Sequence, residues 1–269
     1  MNIHIRGADY HVAVRGKGRP VLFLHGFTGD HSTWDETLAY LPESMMCIRI
    51  DLPGHGKTVM PDDSARFTVE ETCKDLCGVL DALSIEQADL VGYSMGGRVA
   101  LSMACLHPDK VTRLILESAS PGLREALARE TRRAADEQLA QFIENKGVEA
   151  FVEKWEEIPL FQSQKNLPDE IQQQIRAQRI KNRPQGLAQS LRGMGTGKQP
   201  SWWERLPKLK TETILFTGEK DKKFCAIAQE MDEQLPNSKK VVIQGSGHAI
   251  HVEQPQKFGT MLMEFLLKG

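Results

Sequence analysis

The sequence has few cysteines, no long apolar run and little net charge. Its five cysteines are an odd number and form no C-x-x-C pair, which favours reduced thiols over a disulfide framework. No apolar run approaches the roughly 18 residues of a membrane-spanning helix, and the polar start MNIHIRGADYHVAV is unlike a targeting peptide. The formal net charge of −2 gives no reason to expect binding to nucleic acid or an anionic membrane. We therefore expect a cytoplasmic protein that neither inserts into membranes nor binds nucleic acid.

Signals for cofactors and metals are also missing. No dinucleotide fingerprint follows a first strand, and the eight histidines lack the spacing of metal ligands. The stretch RGMGTGKQP (192–200) superficially suggests a phosphate-binding loop, but it lacks the Walker spacing and no strand precedes it. We expect an ordinary loop there, and neither a cofactor nor a metal.

Short apolar runs alternate with helical patterns along most of the 269 residues. The runs are PVLFLHG, MMCIRIDLPGHG, ADLVGYS, RLILESA, TILFTGE and KVVIQGSGH. Such runs are typical of strands buried on both faces, and helical patterns at 68–83 and 95–107 lie between them. The alternation predicts an α/β fold, a mostly parallel twisted sheet with helices on both faces. The alternating N-terminus predicts a hairpin over residues 1–18, with a Gly-Ala-Asp turn at 7–9.

The alternation stops between residues 122 and 203, where helical spacing continues without a convincing strand. We expect this cap segment (122–203) to form a helical insertion between two parts of one core, 1–121 and 204–269. Acidic residues nearly balance basic ones here, so most of its arginines are expected to face solvent. They are Arg124, Arg129, Arg132, Arg133, Arg176, Arg179, Arg183 and Arg192.

The stretch Gly92-Tyr93-Ser94-Met95-Gly96 lies between a predicted strand and a predicted helix. This is the G-x-S-x-G pattern of a nucleophile elbow, in which a strained serine projects from a sharp turn. The glycines are needed because a side chain at either position would collide with neighbouring chain. Ser94 is therefore the predicted reactive residue.

A base and an acid follow in the chain order that this elbow requires. His248 follows a strand and a glycine-rich turn, and we expect it to act as general base, in preference to His251. Asp221 follows another strand and is favoured as the carboxylate that orients the imidazole. Glu117, at the end of RLILE, is the alternative acid.

Backbone amides complete the predicted site. In FLHGFTGD, a strand ends at His-Gly and presents the N–H of Phe27 towards the serine. With the N–H of Met95, at the start of the helix after Ser94, it would form an oxyanion hole. The positive end of that helix adds favourable potential for an anion.

Arg98 is unusual because the helix that follows such a serine is normally buried against the sheet. It lies four residues after Ser94, on the same helical face. A buried guanidinium is costly unless it is paired, and arginine is suited to binding a carboxylate with two hydrogen bonds. We therefore expect an acidic substrate.

Five motifs, HGFTGD, DLPGHG, GYSMGG, GEKD and GSGH, make the chain resemble the α/β-hydrolase-fold superfamily over nearly its whole core. GYSMGGRVA, LESASPGLR, ARETRR, FVEKWEEIPLF, AQRIKNR and GEKDKKF further resemble the 2-succinyl-6-hydroxy-2,4-cyclohexadiene-1-carboxylate synthases of menaquinone biosynthesis. This resemblance implies a lyase whose triad promotes proton abstraction and pyruvate elimination from 2-succinyl-5-enolpyruvyl-6-hydroxy-3-cyclohexene-1-carboxylate. The substrate would be a small tricarboxylate, and the arginines would bind its carboxylates.

The resemblance also implies roles for individual residues. The triad is Ser94, Asp221 and His248; the substrate-binding residues are Arg98, Arg132, Arg179, Tyr93 and Trp155. Arg129 and Arg133 remain alternatives to Arg132. Two other functions remain open: a carboxylesterase or C–C bond hydrolase that uses the same triad on a small acidic substrate, and a receptor that retains the triad. An aspartate in place of Ser94 would instead indicate a dehalogenase.

Overall fold

A computed structural model describes residues 1–267, so Lys268 and Gly269, the end of the predicted core, lie outside the described residues. Its eight-stranded sheet has the order β1-β2-β4-β3-β5-β6-β7-β8. The strands are β1 Asn2–Ile5, β2 Ala8–Arg15, β3 Arg19–Leu24, β4 Met45–Ile50, β5 Ala88–Tyr93, β6 Val111–Glu117, β7 Glu212–Gly218 and β8 Ser238–Ile243. The first two pairings are antiparallel and all later ones are parallel. The predicted mostly parallel sheet is confirmed.

Helices connect the parallel strands and cover both faces of the sheet. They are α1 Asp35–Leu38, α2 Val69–Ala82, α3 Met95–Leu106, α4 Ala126–Glu156, α5 Asp169–Ile180, α6 Pro184–Met194, α7 Lys222–Gln234, α8 Ile250–Glu253 and α9 Pro255–Leu267. Short 3₁₀ turns lie at His31–Trp34, Ser64–Phe67, Pro108–Lys110, Pro159–Asn166 and Trp203–Lys208. Among residues 1–267, no helix combines the length and apolar character needed to cross a membrane.

The alternation of side chains along β3 divides the core into two layers. Leu22 and Leu24 join a fully buried cluster on the face covered by α2 and α3. Val21 and Phe23 join a second cluster on the opposite face, with residues of α1 and α9. Because both faces are covered there, the central strands β3 and β5 are largely apolar, with the polar residue of β3 at its start.

The N-terminal hairpin forms as predicted, but its turn lies elsewhere. The turn is Arg6-Gly7, with φ of 50° and 85°, and Ala8 already pairs with Ile5 in the ladder. A two-residue turn with two positive φ angles matches the twist of the strands, and Gly7 supplies one at no steric cost. The prediction of a Gly-Ala-Asp turn was therefore wrong, because Ala8 and Asp9 belong to β2.

Between β6 and β7 the described chain forms only helices, 3₁₀ turns and loops. The longest helix, α4, bends at Gly147, where φ of 82° and ψ of 170° interrupt the helical backbone. Beyond this bend, Phe151 and Val152 pack with Ile143 and with Leu187 of α6 into a separate apolar cluster. Phe27, from the loop after β3, packs against this cluster and joins the sheet to the cap segment.

Candidate active site

The carboxyl ends of three parallel strands bring Ser94, Asp221 and His248 together. Ser94 follows β5, Asp221 follows β7 after a short turn, and His248 lies in the loop after β8. His248 Nε2 is 3.0 Å from Ser94 Oγ, and His248 Nδ1 is 2.6 Å from Asp221 Oδ2. The other oxygen of Asp221 accepts a hydrogen bond from the Phe224 amide at 3.2 Å, which fixes the carboxylate. This chain of hydrogen bonds suits an imidazole that takes a proton from Ser94 while Asp221 stabilises the resulting charge.

The turn that carries Ser94 has the strain expected of a nucleophile elbow. Ser94 has φ of 50°, a conformation that L-residues rarely adopt, and its amide donates to the Glu117 carbonyl at 2.8 Å. A Cβ at Gly96 would lie 2.1 Å from the Leu24 carbonyl oxygen, and one at Gly92 would lie 2.5 Å from the Gly96 oxygen. The structure thus supplies the steric reason for both glycines of the motif.

Glu117 and His251, the two alternatives considered for the triad, are hydrogen-bonded to each other. His251 Nδ1 lies 2.9 Å from the Glu117 carboxylate, and the His251 amide donates to the same group at 3.1 Å. Both side chains are buried, and the His251 ring packs against Tyr93 at 4.6 Å between ring centres. The geometry therefore favours a structural role for this pair beneath Tyr93.

Replacing Glu117 with glutamine should destabilise the protein more than it slows catalysis. A buried carboxylate that accepts two hydrogen bonds is lost, so we expect the free energy of unfolding to fall by about 2–4 kcal/mol. Asp221→Asn is the matched comparison, and should lower kcat at least 100-fold with little change in stability. Denaturant unfolding and steady-state kinetics on both variants measure these effects. If Glu117→Gln abolished activity at unchanged stability, Glu117 would be the acid of the triad.

A cavity of about 540 Å³ opens above Ser94, between the sheet and the cap segment. Ser94, His248, Phe27 and Met95 line it, so both residues of the predicted oxyanion hole border the same space as the triad. Met95 begins α3, where the first amides have no acceptor within the helix. The cavity can therefore accept a small molecule at the reactive oxygen.

Tyr93 and Trp155, the two predicted pocket aromatics, also line this cavity. Burial raises the pKa of Tyr93 well above its usual value, so its phenol stays protonated at neutral pH. The indole Nε1 of Trp155 is buried and has no hydrogen-bond partner among the described residues. The two rings can form an apolar wall of the cavity, and the Tyr93 hydroxyl and the Trp155 N–H are the polar groups of that wall.

Arg98 lines the cavity four residues after Ser94. One guanidinium nitrogen donates to the Met194 carbonyl at 2.7 Å and to Gln199 Oε1 at 2.6 Å. Within residues 1–267 it forms no ion pair with a carboxylate. Burial, with a smaller contribution from Arg132, lowers the pKa of Arg98 to about 10, so the group is still charged at neutral pH. A partly buried cation near Ser94 is thus available to an anion.

The structure distinguishes the three arginines at the start of α4. Arg132 lines the cavity and donates to Asp136 at 2.8 Å. Arg129 instead donates to the carbonyls of Leu123 and Arg124. The guanidinium of Arg133 donates to the Gly197 carbonyl at 3.2 Å. Of these three, only Arg132 borders the cavity.

Arg179 does not line the cavity that contains Ser94. Its guanidinium donates to Gln164 at 3.0 Å and to Glu156 at 3.3 Å, and lies 4.7 Å from the centre of the Phe161 ring. It borders a second cavity of about 470 Å³ between the end of α4 and α5, and Phe161 lines both cavities. In this conformation, the Phe161 ring stands between Arg179 and the reaction space.

Comparison with known proteins agrees with this fold. A family model described as alpha/beta hydrolase fold matches residues 19–255. The chain belongs to the α/β hydrolase fold family. A Bacillus subtilis relative, provisionally named 2-succinyl-6-hydroxy-2,4-cyclohexadiene-1-carboxylate synthase, is 44% identical over 97% of this chain and 95% of its own length. An Enterobacter protein named as the same synthase is 32% identical over 91% of each chain. The predicted resemblance to these synthases is confirmed.

Solved structures from the same family extend this comparison. The structure of MenH from S. aureus has a TM-score of 0.90 and 40% identity, and the alignment covers 97% of this chain and 98% of that one. A thermophilic esterase from Thermogutta terrifontis, solved with malate bound, has a TM-score of 0.84 and 29% identity, with 97% and 94% covered. Similar α/β hydrolases therefore include a MenH and an esterase.

Several cavity residues of this α/β hydrolase were not singled out from its sequence. Arg124 is exposed, as expected, but it also borders the cavity: it pairs with Glu230 at 2.6 Å and lies 3.6 Å from the centre of the Trp203 ring. Lys223 and Ser118 also line it. Ser118 directly follows β6, and Lys223 lies two residues after Asp221, in the segment that follows β7. Position at a strand end is the signal that could have found them.

One group of side chains in the described chain has the composition of a metal site. One ligand atom each of His11, His31 and Asp51 lies within 4.8 Å of the others. Both Asp51 oxygens, however, already accept hydrogen bonds, one from the amide and ring of His31 and the other from the Lys57 amide. These bonds hold the loop after β4, which accounts for the cluster without an ion. The expectation of no metal or cofactor remains a prediction.

Proposed function

We propose that this protein is a lyase of menaquinone biosynthesis. It would convert 2-succinyl-5-enolpyruvyl-6-hydroxy-3-cyclohexene-1-carboxylate into 2-succinyl-6-hydroxy-2,4-cyclohexadiene-1-carboxylate and pyruvate. The observation that carries this proposal is the placement of Arg98, a cation that has no carboxylate partner within residues 1–267, beside a hydrogen-bonded Ser94–His248 pair. The names of the 44% and 32% identical relatives support the same reaction.

In the proposed reaction, Ser94 acts as a base. Its proton passes to His248 Nε2 as Ser94 Oγ removes a proton from the ring carbon next to the succinyl carbonyl, and Asp221 stabilises the imidazolium. The electron pair left on carbon moves onto the carbonyl oxygen, where the amides of Phe27 and Met95 stabilise the negative charge. The pair then returns to form a double bond between C2 and C3 of the ring, the existing C3–C4 double bond shifts to C4–C5, and the C5–O bond to the enolpyruvyl group breaks. The departing enolate takes up a proton and becomes pyruvate, so no external reactant is consumed.

The cations of the cavity would bind the carboxylates of this substrate. Arg98 and Arg132 lie on the cavity wall, and the repulsion between them contributes to the lowered pKa of Arg98. A carboxylate between them would relieve this repulsion and accept paired hydrogen bonds. We assign Arg179 to substrate binding only in a conformation in which Phe161 has moved. The aromatic walls, Tyr93 and Trp155, would exclude water around the ring.

We further propose that residues 122–203 act as the cap of the enzyme, over a core formed by residues 1–121 and 204–269. Residues from both parts line the reaction cavity, including Ser94 from the core and Trp155 from the cap segment. The Phe27 side chain contacts the apolar cluster of the cap segment. The cap residues would therefore mainly determine which substrate shapes fit the cavity, and the core residues would carry out the reaction.

A coupled pyruvate assay tests the proposed function directly. Lactate dehydrogenase reduces the released pyruvate and oxidises NADH, so the fall in NADH reports the reaction. We expect one NADH to be oxidised for each molecule of enolpyruvyl substrate, at a rate proportional to the enzyme concentration. Ser94→Ala protein at the same concentration and a protein-free reaction are the controls. The alternative, an esterase or C–C bond hydrolase, is favoured by the similarity to a malate-bound esterase. If the protein hydrolysed p-nitrophenyl esters rapidly but released no pyruvate, the lyase proposal would be wrong and the hydrolase alternative would take its place.

A further inference from the structure

Ser118, the first residue after β6, combines two unfavourable features. Its φ is 49°, in the left-handed region that favours glycine over serine. Its side chain is fully buried, and its hydroxyl has no hydrogen-bond partner among the described residues. A buried hydroxyl without a partner destabilises the folded state, because water solvates it in the unfolded chain. Neither feature contributes to the stability of the free protein.

The position of Ser118 connects it to the reaction space. It lines the same cavity as Ser94 and His248. The preceding residue, Glu117, accepts the amide hydrogen bond of Ser94 at 2.8 Å. The amide of Ser118 itself donates to the Phe216 carbonyl of β7 at 2.9 Å, so its backbone is held in place. Strained residues whose geometry is fixed by their surroundings are characteristic of ligand-binding sites.

We propose that Ser118 is a substrate-contact residue, whose hydroxyl donates a hydrogen bond to an oxygen of the anionic substrate. This inference rests on the proposed function, because it takes the enolpyruvyl compound as the ligand. A serine hydroxyl is both donor and acceptor, and it rotates to suit a carboxylate or carbonyl oxygen. Because the hydroxyl is not exposed to the cavity in the free protein, the Ser118 side chain must rotate to make this contact, while its backbone stays in place. The substrate then supplies the hydrogen bond that is missing among the described residues of the free protein.

Ser118→Ala separates this role from a structural one. The substitution removes a buried polar atom that has no partner among the described residues. We therefore expect the unfolding temperature of the ligand-free variant to rise by a few degrees. At the same time kcat/KM for pyruvate release should fall about 10- to 100-fold, mainly through a higher KM. Ser118→Gly, which also relieves the strained φ, should show the same loss of kcat/KM with an equal or higher unfolding temperature.

Thr37→Val is the matched control for the stability effect. Thr37, in α1, is also fully buried, and its hydroxyl has no hydrogen-bond partner within residues 1–267, but it does not line the cavity that contains Ser94. Its replacement by the isosteric valine should raise the unfolding temperature without changing kcat/KM. The contrast between the two positions isolates the contribution of the substrate.

Thermal unfolding and the coupled pyruvate assay on wild type and the three variants test the proposal. If Ser118→Ala raised the unfolding temperature and left kcat/KM unchanged, the hydroxyl would make no substrate contact. A lower unfolding temperature for Ser118→Ala would mean that the hydroxyl has a structural partner, and would also overturn the inference. Wild-type protein that released no pyruvate would overturn both this inference and the proposed function. With an active wild type, a failure of either expectation for Ser118→Ala would count against the role of Ser118 alone.

Discussion

Ser94→Ala should lower kcat for pyruvate release by about 10⁴-fold while the protein remains folded. The substitution removes the oxygen 3.0 Å from His248 Nε2, so the imidazole has no group through which to act on the substrate. Alanine fits the same turn, since it adds no atom to the strained backbone. The cavity, its arginines and the two backbone amides stay in place, so KM should change much less than kcat. Single-turnover and steady-state pyruvate assays measure both constants.

The double variant Ser94→Ala/His248→Ala gives the sharper form of this test. Residues that act as one unit show strongly non-additive effects, so the double variant should be no slower than Ser94→Ala alone. Ser44→Ala, at an exposed serine in the loop before β4, should leave kcat unchanged. If the effects of Ser94 and His248 instead multiplied, the two residues would act in separate steps, contrary to the proposed proton transfer.

Local sequence was sufficient to predict the nucleophile elbow, because its constraints are steric and lie within a few residues. A side chain at Gly92 would collide with the backbone of Gly96, and a side chain at Gly96 would collide with the end of the neighbouring strand β3. The Glu117–His251 pair was less accessible to sequence reasoning. Glu117 ends a parallel strand next to β5, so its position allowed it as the alternative to Asp221. The hydrogen bonds from His251 show that this carboxylate has another partner.

The arginines of the cap segment show a different limit. Arg129, Arg132 and Arg133 lie within about one turn of α4 and their directions span about 100°, so helical periodicity alone does not show which of them enters the cavity. Their surroundings are decided by distant chain, such as Gly197 and the residues before the helix. Arg179 depends on where the Pro159–Asn166 segment places Phe161. Helical spacing without strand patterns predicted helices in this segment, but the residues that enter the cavity are set by tertiary packing.

Arg98→Met should lower kcat/KM for pyruvate release by about 100- to 1000-fold, the second-largest effect that we expect. Methionine keeps the length and apolar stem of arginine but removes the charge and the paired donors, so a buried substrate carboxylate loses its partner. An uncompensated anion in this cavity would be strongly disfavoured. Arg98→Lys keeps the charge without the planar fork and should lose about tenfold. Arg133 lies three residues from Asp136 in the sequence but outside the cavity. Arg133→Met is therefore the matched control and should retain wild-type kinetics.

The pH dependence of kcat/KM gives an independent readout for Arg98. Its pKa is lowered to about 10 by burial and by Arg132, and substrate binding needs the charged form. In the wild type, kcat/KM should therefore fall as pH rises through about 10, and Arg98→Met should lack that decline at pH values where both proteins stay folded by circular dichroism. If Arg98→Met kept wild-type kcat/KM for the tricarboxylate, the cation beside Ser94 would serve the fold alone. A hydrolase of neutral esters would then account better for the cavity than a lyase for an anionic substrate.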